Sequence, residues 1–374
     1  MISTFEHGGN LYREARDNHD IEKFLDFSAN INPLGLADNV QRAILANIEY
    51  LIHYPDPDGY ELKQALAKFY NLPYEQIILG NGAVELLYIL CHTLRPRRVL
   101  IPAPSFSEYE RAARSANAAI DYYILAETAN FILDADDFRK KLANYDIVFI
   151  GNPNNPTGTL LTKEELAIIV QTAQSTNTFV VIDESFIDFL PSAANYTAKQ
   201  LLVDYDNLFV LHSLTKFYAI PGLRLGFAGT NLELSKRLHL AKDPWNVNSL
   251  AQAAGLAAIA ATDYQLRSRQ VLAKEQAAFE QASKNFSKIK FYRPTVNFIL
   301  ANLASIPLTA EIMQQRCRKA GILIRNCANY PGLNDYYVRF AIKDPAANQA
   351  LFAAIKNIVG DNNDKDYFDT SRPN

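Results

Sequence analysis

The sequence is poor in cysteine, has little net charge and lacks any long hydrophobic segment. Its three cysteines, Cys91, Cys317 and Cys327, have no disulfide, metal or redox spacing, so we expect a reducing, cytoplasmic location. A formal net charge of −3 over 374 residues gives no field for attracting nucleic acid or an anionic membrane. The longest apolar stretch, residues 250–261, is too short for a bilayer, and residues 1–6 lack signal-peptide features. An anionic substrate must therefore be bound by local basic residues.

The hydrophobic pattern from about residue 60 to 230 predicts alternating strands and helices. The predicted strands are residues 76–79, 99–102, 147–150, 179–182, 208–211 and 225–228, and the predicted helices include 82–93, 106–117 and 163–175. The strands are continuously apolar, which is typical of a sheet covered on both faces. We therefore predict an α/β fold with a mostly parallel, doubly wound sheet.

The pattern changes beyond about residue 265, where a smaller α+β part is predicted. It contains a long helix at 264–284, strands at 298–301, 322–324 and 337–342, and a closing helix at 346–359. We predict a large domain over residues 46–265 and a small domain from residues 1–45 and 266–360. Residues 361–374 are polar and predicted to be disordered.

Three polar motifs follow three of the predicted strands. Residues 152–158 read Asn-Pro-Asn-Asn-Pro-Thr-Gly, Asp183 ends the strand 179–182, and Ser213 to Lys216 follow the strand 208–211. Parallel strands place their carboxyl ends at one edge of the sheet, where open α/β folds bind ligands. We expect the three motifs to form one site.

Lys216 has the surroundings of a reactive amine. A single lysine is usually a solvated surface charge, but this one stands among apolar and aromatic residues. Desolvation lowers a lysine pKa and frees the amine for imine formation. Ser213 and Arg224, three residues before and eight residues after it, supply a hydroxyl and a guanidinium fork for a phosphate.

This spacing resembles the cofactor-lysine motif of the pyridoxal-phosphate (PLP)-dependent aminotransferases of fold type I. The resemblance implies that Lys216 carries PLP as a Schiff base and that Asp183 pairs with the pyridine nitrogen. It also implies that Asn155 hydrogen-bonds the ring oxygen and that Phe106 stacks on the ring. Outside such a site, Asp183 reads as a helix N-cap, Asn155 as a turn residue and Phe106 as core.

The cofactor phosphate has its own predicted binding residues. Gly82 and Ala83 open a helix after a strand, so free backbone N–H groups are available there beside Ser213 and Arg224. In the family, the tyrosine that matches Tyr54 reaches the partner subunit's cofactor phosphate, which predicts a homodimer. Ordinary loop packing is the alternative for Tyr54.

Further segments resemble the L-threonine O-3-phosphate decarboxylases of the cobalamin pathway. They are His-Gly-Gly-Asn from His7, the segment around Asn30, and Arg-Asn-Cys-Ala-Asn-Tyr-Pro-Gly from Arg325. By position, Arg339 matches the family arginine that holds the substrate carboxylate, with a structural ion pair as the alternative. His7, Asn30, Arg325 and Asn155 complete the predicted substrate site, although His7 alone would read as a surface histidine.

The resemblance implies decarboxylation of threonine phosphate to (R)-1-aminopropan-2-ol phosphate, with phosphoserine as a further substrate candidate. Anchoring the phosphate would rotate the substrate carboxylate out of the cofactor plane, which selects the bond that breaks. Phe186 stands where many relatives have a ring-oxygen tyrosine, which favours a subgroup that does not transaminate. We expect no metal.

Three alternatives remain open. Histidinol-phosphate aminotransferases share the general cofactor motifs and predict a 2-oxoglutarate-dependent reaction without carbon dioxide. A PLP-sensing transcription regulator would need a DNA-binding module ahead of the fold, and few residues precede His7. A cofactor-free scaffold is disfavoured because Lys216, Asp183, Asn155 and Arg224 are all present.

Overall fold

The computed structural model describes residues 7–16 and 20–360, so the predictions for residues 1–6 and for the tail at 361–374 lie outside the described residues. The α-helices are α1 Leu11–Arg16, α2 Asp38–Asn47, α3 Tyr60–Tyr70, α4 Ala83–Leu94, α5 Glu108–Ser115, α6 Ala135–Arg139, α7 Lys163–Ser175, α8 Leu232–Ala241, α9 Ser249–Ile259, α10 Thr262–Ser283, α11 Ala310–Lys319 and α12 Pro345–Gly360. The strands are β1 Leu25–Asp26, β2 Ile77–Asn81, β3 Arg98–Ala103, β4 Ala119–Ile124, β5 Ile147–Gly151, β6 Phe179–Asp183, β7 Leu208–Ser213, β8 Leu225–Thr230, β9 Lys290–Phe291, β10 Phe298–Asn302, β11 Ile322–Leu323, β12 Arg325–Asn326 and β13 Tyr337–Ala341.

The central sheet has seven strands in the order β2-β8-β7-β6-β5-β3-β4. Only β8 runs against its neighbours, since it pairs antiparallel with both β2 and β7 while the other pairs are parallel. The predicted mostly parallel α/β fold is confirmed. The carboxyl ends of β5, β6 and β7 therefore lie at one edge, which brings the three polar motifs together.

Alternate residues of the central strands enter different halves of the hydrophobic core. On β5, Val148 and Ile150 belong to one buried cluster, while Ile147 and Phe149 belong to the other. Successive side chains of a strand point to opposite faces, so the sheet is covered on both sides. This two-sided burial explains why the strands are continuously apolar in the sequence.

The prediction omitted β4, which is an edge strand. Its residues are exposed or half-buried, and Asp121 interrupts the apolar run. An edge strand has a neighbour on one side only and does not need a fully apolar sequence.

The C-terminal part contains a four-stranded antiparallel sheet, β12-β13-β10-β9, and a short parallel pair, β1-β11. The predicted strand at 322–324 corresponds to β11, which pairs with β1. A second short strand, β12, follows it in a different sheet, where it pairs with β13. Phe27 joins the two ends of the chain, since its N–H donates to the Leu323 carbonyl (2.7 Å) and its carbonyl accepts from the Ala341 N–H (2.8 Å). The predicted domain boundaries stay a prediction. Within the described residues, every helix is too short or too polar to cross a bilayer.

Candidate active site

A cavity of about 380 Å³ lies at the carboxyl edge of the central sheet and reaches the C-terminal part. It brings together every predicted site residue except Gly82 and Tyr54: His7, Asn30, Ala83, Phe106, Asn155, Asp183, Ser213, Lys216, Arg224, Arg325 and Arg339. The cavity also exposes residues that the sequence analysis did not select, including Ser28, Glu108, Tyr109, Thr215 and Tyr330.

Lys216 follows β7 on a segment fixed by a buried asparagine. Asn32 donates from its backbone N–H to the Lys216 carbonyl (3.0 Å) and from Nδ2 to the Phe217 carbonyl (2.7 Å). Burial, together with the positive charges of Arg339 and Arg224, lowers the pKa of the Lys216 amine to about 8. About a tenth of the amine is therefore neutral and nucleophilic at pH 7, and about half of it at pH 8.

The Asp183 carboxylate is buried at the end of β6 and accepts three hydrogen bonds. Tyr109 Oη donates to Oδ2 (2.8 Å), while the Ser185 N–H (2.9 Å) and Oγ (2.5 Å) donate to Oδ1. Burial raises the pKa of Asp183 despite these hydrogen bonds. A cationic ring nitrogen beside it would favour the ionised carboxylate, so this site fits a protonated pyridine.

Tyr109 is a site residue that the sequence analysis missed. Its ring is stacked on Phe149 with a centroid distance of 5.4 Å and meets Phe106 edge-on at 5.6 Å. These contacts fix the hydroxyl against Asp183 and place Phe106 at the cavity wall. No local motif points to this role, because Tyr109 and Asp183 are far apart in the chain.

The N-terminus of α4 and Arg224 form an anion site with two hydroxyl groups. Gly82 precedes α4 with φ +79°, and a Cβ atom there would lie 2.3 Å from Arg224 Nη2. Ser213 Oγ lies 2.8 Å from Thr215 Oγ1, and both line the cavity. The absence of a side chain at Gly82 thus leaves room for the Arg224 guanidinium beside the cavity. Helix N–H groups, a guanidinium and hydroxyls suit a phosphate, so the donor set fits PLP.

Two buried arginines form the opposite end of the cavity. Arg339 on β13 donates from Nη1 to Asn155 Oδ1 (2.5 Å) and from Nη2 to the Ser28 carbonyl (2.7 Å), while its buried Nε has no partner. Among residues 7–16 and 20–360, no carboxylate pairs with Arg339, so the structural ion pair is not seen there. Arg325 on β12 lies directly opposite and donates to Asn329 Oδ1 (2.8 Å). Two neighbouring buried cations indicate an anionic ligand.

Asn30 and His7 also line the cavity. Asn30 is buried, and its Oδ1 has no hydrogen-bond partner. The His7 ring contacts a carboxylate, with Nε2 placed 2.7 Å from Glu108 Oε1. The sequence analysis predicted that His7 binds an anionic substrate group. It did not predict that His7 also contacts a carboxylate of the protein itself, that of Glu108.

Phe186 lies on the cavity wall, where it packs against Phe298 at 5.1 Å and Phe189 at 6.4 Å. Its ring offers no hydrogen-bond donor. Tyr54 lies outside the cavity, 79% exposed, and its ring is stacked on Trp245 at 4.6 Å.

The sequence profile of class I and II aminotransferases matches residues 22–355. The chain therefore belongs to the class I and II aminotransferase family, and pyridoxal phosphate is its cofactor. Within this family it is 38% identical to the threonine-phosphate decarboxylase of Salmonella typhimurium, over 94% of this chain and 96% of that protein. At that identity and coverage, it belongs with the threonine-phosphate decarboxylases.

Solved structures of two related enzymes share the fold. The histidinol-phosphate aminotransferase of Clostridium acetobutylicum has a TM-score of 0.84 and 33% identity, covering 90% of this chain and 99% of that one. The L-threonine-O-3-phosphate decarboxylase of Porphyromonas gingivalis has a TM-score of 0.80 and 27% identity, covering 89% and 99%. Similarity of fold alone does not distinguish decarboxylation from transamination. The distinction must come from the residues that bind the substrate.

Proposed function

We propose that this chain decarboxylates L-threonine O-3-phosphate to (R)-1-aminopropan-2-ol O-phosphate in cobalamin biosynthesis, using PLP. The observation that carries the proposal is the pair of buried arginines, Arg325 and Arg339, at one end of the cavity. An amino acid with a phosphorylated side chain offers two anionic groups, one for each guanidinium.

The cofactor end of the cavity has its own set of residues. Ala83, Ser213 and Arg224 would hold the cofactor phosphate, Phe106 would face the ring, and Lys216 would bind the cofactor covalently. Bound PLP supplies an electron sink for the electrons released when carbon dioxide leaves.

The protein determines which bond at the substrate Cα breaks. Arg339 and Asn155 would bind the substrate carboxylate, and Arg325, His7 and Asn30 would bind the side-chain phosphate. Holding both ends fixes the rotation about Cα, so that binding energy remote from the reaction directs the chemistry. We assign the return of a proton to Cα to the Lys216 amine, whose pKa of about 8 suits transfer near neutral pH.

The competing reaction is transamination, as in the histidinol-phosphate aminotransferases. Phe186 supports decarboxylation, since it gives the cofactor ring oxygen no hydroxyl partner. Product analysis by mass spectrometry distinguishes decarboxylation from transamination. Phosphothreonine should yield carbon dioxide and aminopropanol phosphate without 2-oxoglutarate, whereas a stoichiometric keto acid after one turnover would establish transamination.

Substrate discrimination should be steep for the phosphate and shallow for the methyl group. Free threonine offers the basic residues of the cavity one anionic group instead of two, and a site built to bind a polar group rejects an analogue that lacks it by a large ratio. Phosphoserine lacks one methyl group of phosphothreonine. A pocket can discriminate such a difference by about 1–3 kcal/mol in transition-state binding, or roughly 10–200-fold in kcat/KM. We expect phosphoserine to be a slower substrate in kcat/KM. Equal turnover of threonine and its phosphate ester would overturn the proposal.

We also propose a cytoplasmic homodimer. Large apolar side chains are exposed around Tyr54 between α2 and α3: Leu45, Ile48, Tyr50, Leu51, Ile52 and Tyr60, with Trp245 beside them. Many large apolar side chains left exposed in one stretch of the chain support a protein interface. Mixing inactive Tyr54→Ala and Lys216→Ala chains should restore partial activity if each site uses Tyr54 of the partner subunit. No recovery after verified subunit exchange would contradict this arrangement.

A further inference from the structure

His7 and Glu108 form a pair at the cavity wall, and the proposed function gives no role to Glu108. His7 Nε2 lies 2.7 Å from Glu108 Oε1. Glu108 is the first residue of α5, and its side chain is only 6% exposed. A buried carboxylate that lines the cavity would repel an anionic substrate, so its presence needs an explanation.

The contacts of Glu108 favour its ionised form. Tyr88 Oη donates to Oε2 (3.2 Å), and Arg111 Nη1 lies 3.4 Å from Oε1. Burial by itself would raise the pKa of Glu108, but His7, Arg111 and Tyr88 together hold it below its usual value. An ionised carboxylate stabilises a neighbouring imidazolium.

The backbone around His7 is fixed from the other side. A Cβ atom on Gly8 would lie 2.1 Å from the Ser28 carbonyl oxygen, and the Gly9 N–H donates to Ser28 Oγ (2.7 Å). The Ser28 carbonyl in turn accepts from Arg339 Nη2 (2.7 Å). His7 is thus held between Ser28, which contacts the predicted carboxylate-binding arginine, and Glu108.

We propose that Glu108 is a positioning residue that holds the His7 ring through Nε2 and leaves Nδ1 for the substrate phosphate. The identity of that ligand rests on the proposed function, whereas the pairing rests on the contacts above. A histidine with both nitrogens protonated is a donor on both sides, so it can link a carboxylate to a phosphate.

Other charges act on His7 as well. Arg111 lies on its side of the cavity, and Tyr88 contacts the same carboxylate. The remaining charged or titratable residues that line the cavity are Tyr109, Asp183, Lys216, Arg224, Arg325, Tyr330 and Arg339. Arginines and a protonated lysine disfavour an imidazolium, so Glu108 must offset them for His7 to stay charged.

The direct test measures the pKa of His7 in the holoenzyme by NMR. The His7 signals are assigned by their loss in His7→Asn. Glu108→Gln should lower the His7 pKa by at least about one pH unit, because the amide carries no charge. Glu110→Gln is the matched control, since Glu110 lies on the same helix, pairs with Arg114 (2.6 Å) and does not line the cavity. An unchanged His7 titration in Glu108→Gln would overturn the proposal.

A second readout is the phosphate affinity itself. In Glu108→Gln, KM for phosphothreonine and the inhibition constant of inorganic phosphate should rise about tenfold, with kcat little changed. Glu108→Asp keeps the charge at a longer distance and should give a smaller shift, which covers a failure of the glutamine variant to fold. If the wild type does not turn over phosphothreonine, the proposed function fails and the NMR result still decides the pairing. If it does and both readouts match wild type, the pairing alone fails.

Discussion

Arg325 and Arg339 are directly opposite each other across the antiparallel β12–β13 pair, and both side chains are buried. Like charges in this register destabilise a sheet unless an anion lies between or beside them. An anion that binds here should therefore stabilise the fold as well as serve as substrate.

This relationship predicts a thermal shift. Inorganic phosphate should raise the Tm of the holoenzyme, with a gain of about 2.7 kcal/mol in unfolding free energy at 100 times its Kd. Arg325→Met should lose most of the shift. Arg293→Met is the control, since Arg293 has a 91% exposed side chain and lies outside the cavity. Equal phosphate shifts in wild type and Arg325→Met would contradict the assignment of Arg325.

The lowered pKa of Lys216 predicts how the apoenzyme takes up its cofactor. Only the neutral amine attacks the cofactor aldehyde, so the attachment rate should rise with pH and level off above about pH 8 rather than above 10.5. Stopped-flow absorbance measures the rate. Borohydride reduction followed by peptide mapping should label Lys216, and Lys216→Ala should take no label. A label on another lysine would remove the central assignment.

Gly82→Ala should weaken cofactor binding. The new Cβ would meet Arg224 Nη2 at 2.3 Å, and φ +79° is unfavourable for alanine. If this strain of about 1–3 kcal/mol falls on the bound state, the Kd of PLP, measured by equilibrium dialysis, should rise roughly 5- to 150-fold. Gly222→Ala is the matched control, because nothing lies within 4 Å of its added Cβ. Identical affinities would show that this spacing does not matter.

Lys199, Glu184, His212 and Asp188 form a buried network of charged and polar side chains. Loss of this network should lower the stability of the fold. Lys199 Nζ donates to Glu184 and lies 3.1 Å from His212 Nδ1, and His212 Nε2 lies 2.9 Å from Asp188 Oδ2. Lys199→Met leaves the Glu184 charge uncompensated, at a cost of about 3–5 kcal/mol.

The measurement is Tm with and without a second change. Adding Glu184→Gln to Lys199→Met should recover part of the loss, because the unpaired charge disappears. Lys163→Met is the control, since Lys163 contacts Gln200 on the surface. A Lys199→Met protein as stable as this control would show that the network contributes little.

The cofactor site was predictable because its key residues follow apolar strands. Asp183 ends β6 and Lys216 follows β7, so strand order alone places both at one edge. Contacts made by α5 were not predictable. Tyr109 reaches Asp183 across 74 residues and Glu108 reaches His7 across 101, and both depend on how one helix packs.

The direction of β8 also could not be predicted from the sequence pattern. β8 is as fully buried as β7, yet it runs antiparallel to both β2 and β7. A buried strand is apolar whichever way it runs. Its hydrophobicity therefore does not indicate whether it is parallel or antiparallel to its neighbours. The short loop 214–224, which contains Lys216, leaves no room for a crossover helix and is the feature that requires the reversal.

The two ends of the cavity come from different parts of the gene. Most of the cofactor end is encoded between Ala83 and Arg224, whereas His7, Asn30, Arg325 and Arg339 come from the two flanks, which β1 and β11 join in space. Substrate preference can therefore diverge through changes in the flanks while the chemistry stays intact. A chimaera that keeps the middle of one family member and takes both flanks from another should inherit the specificity of the flanks, provided that the flanks are exchanged together.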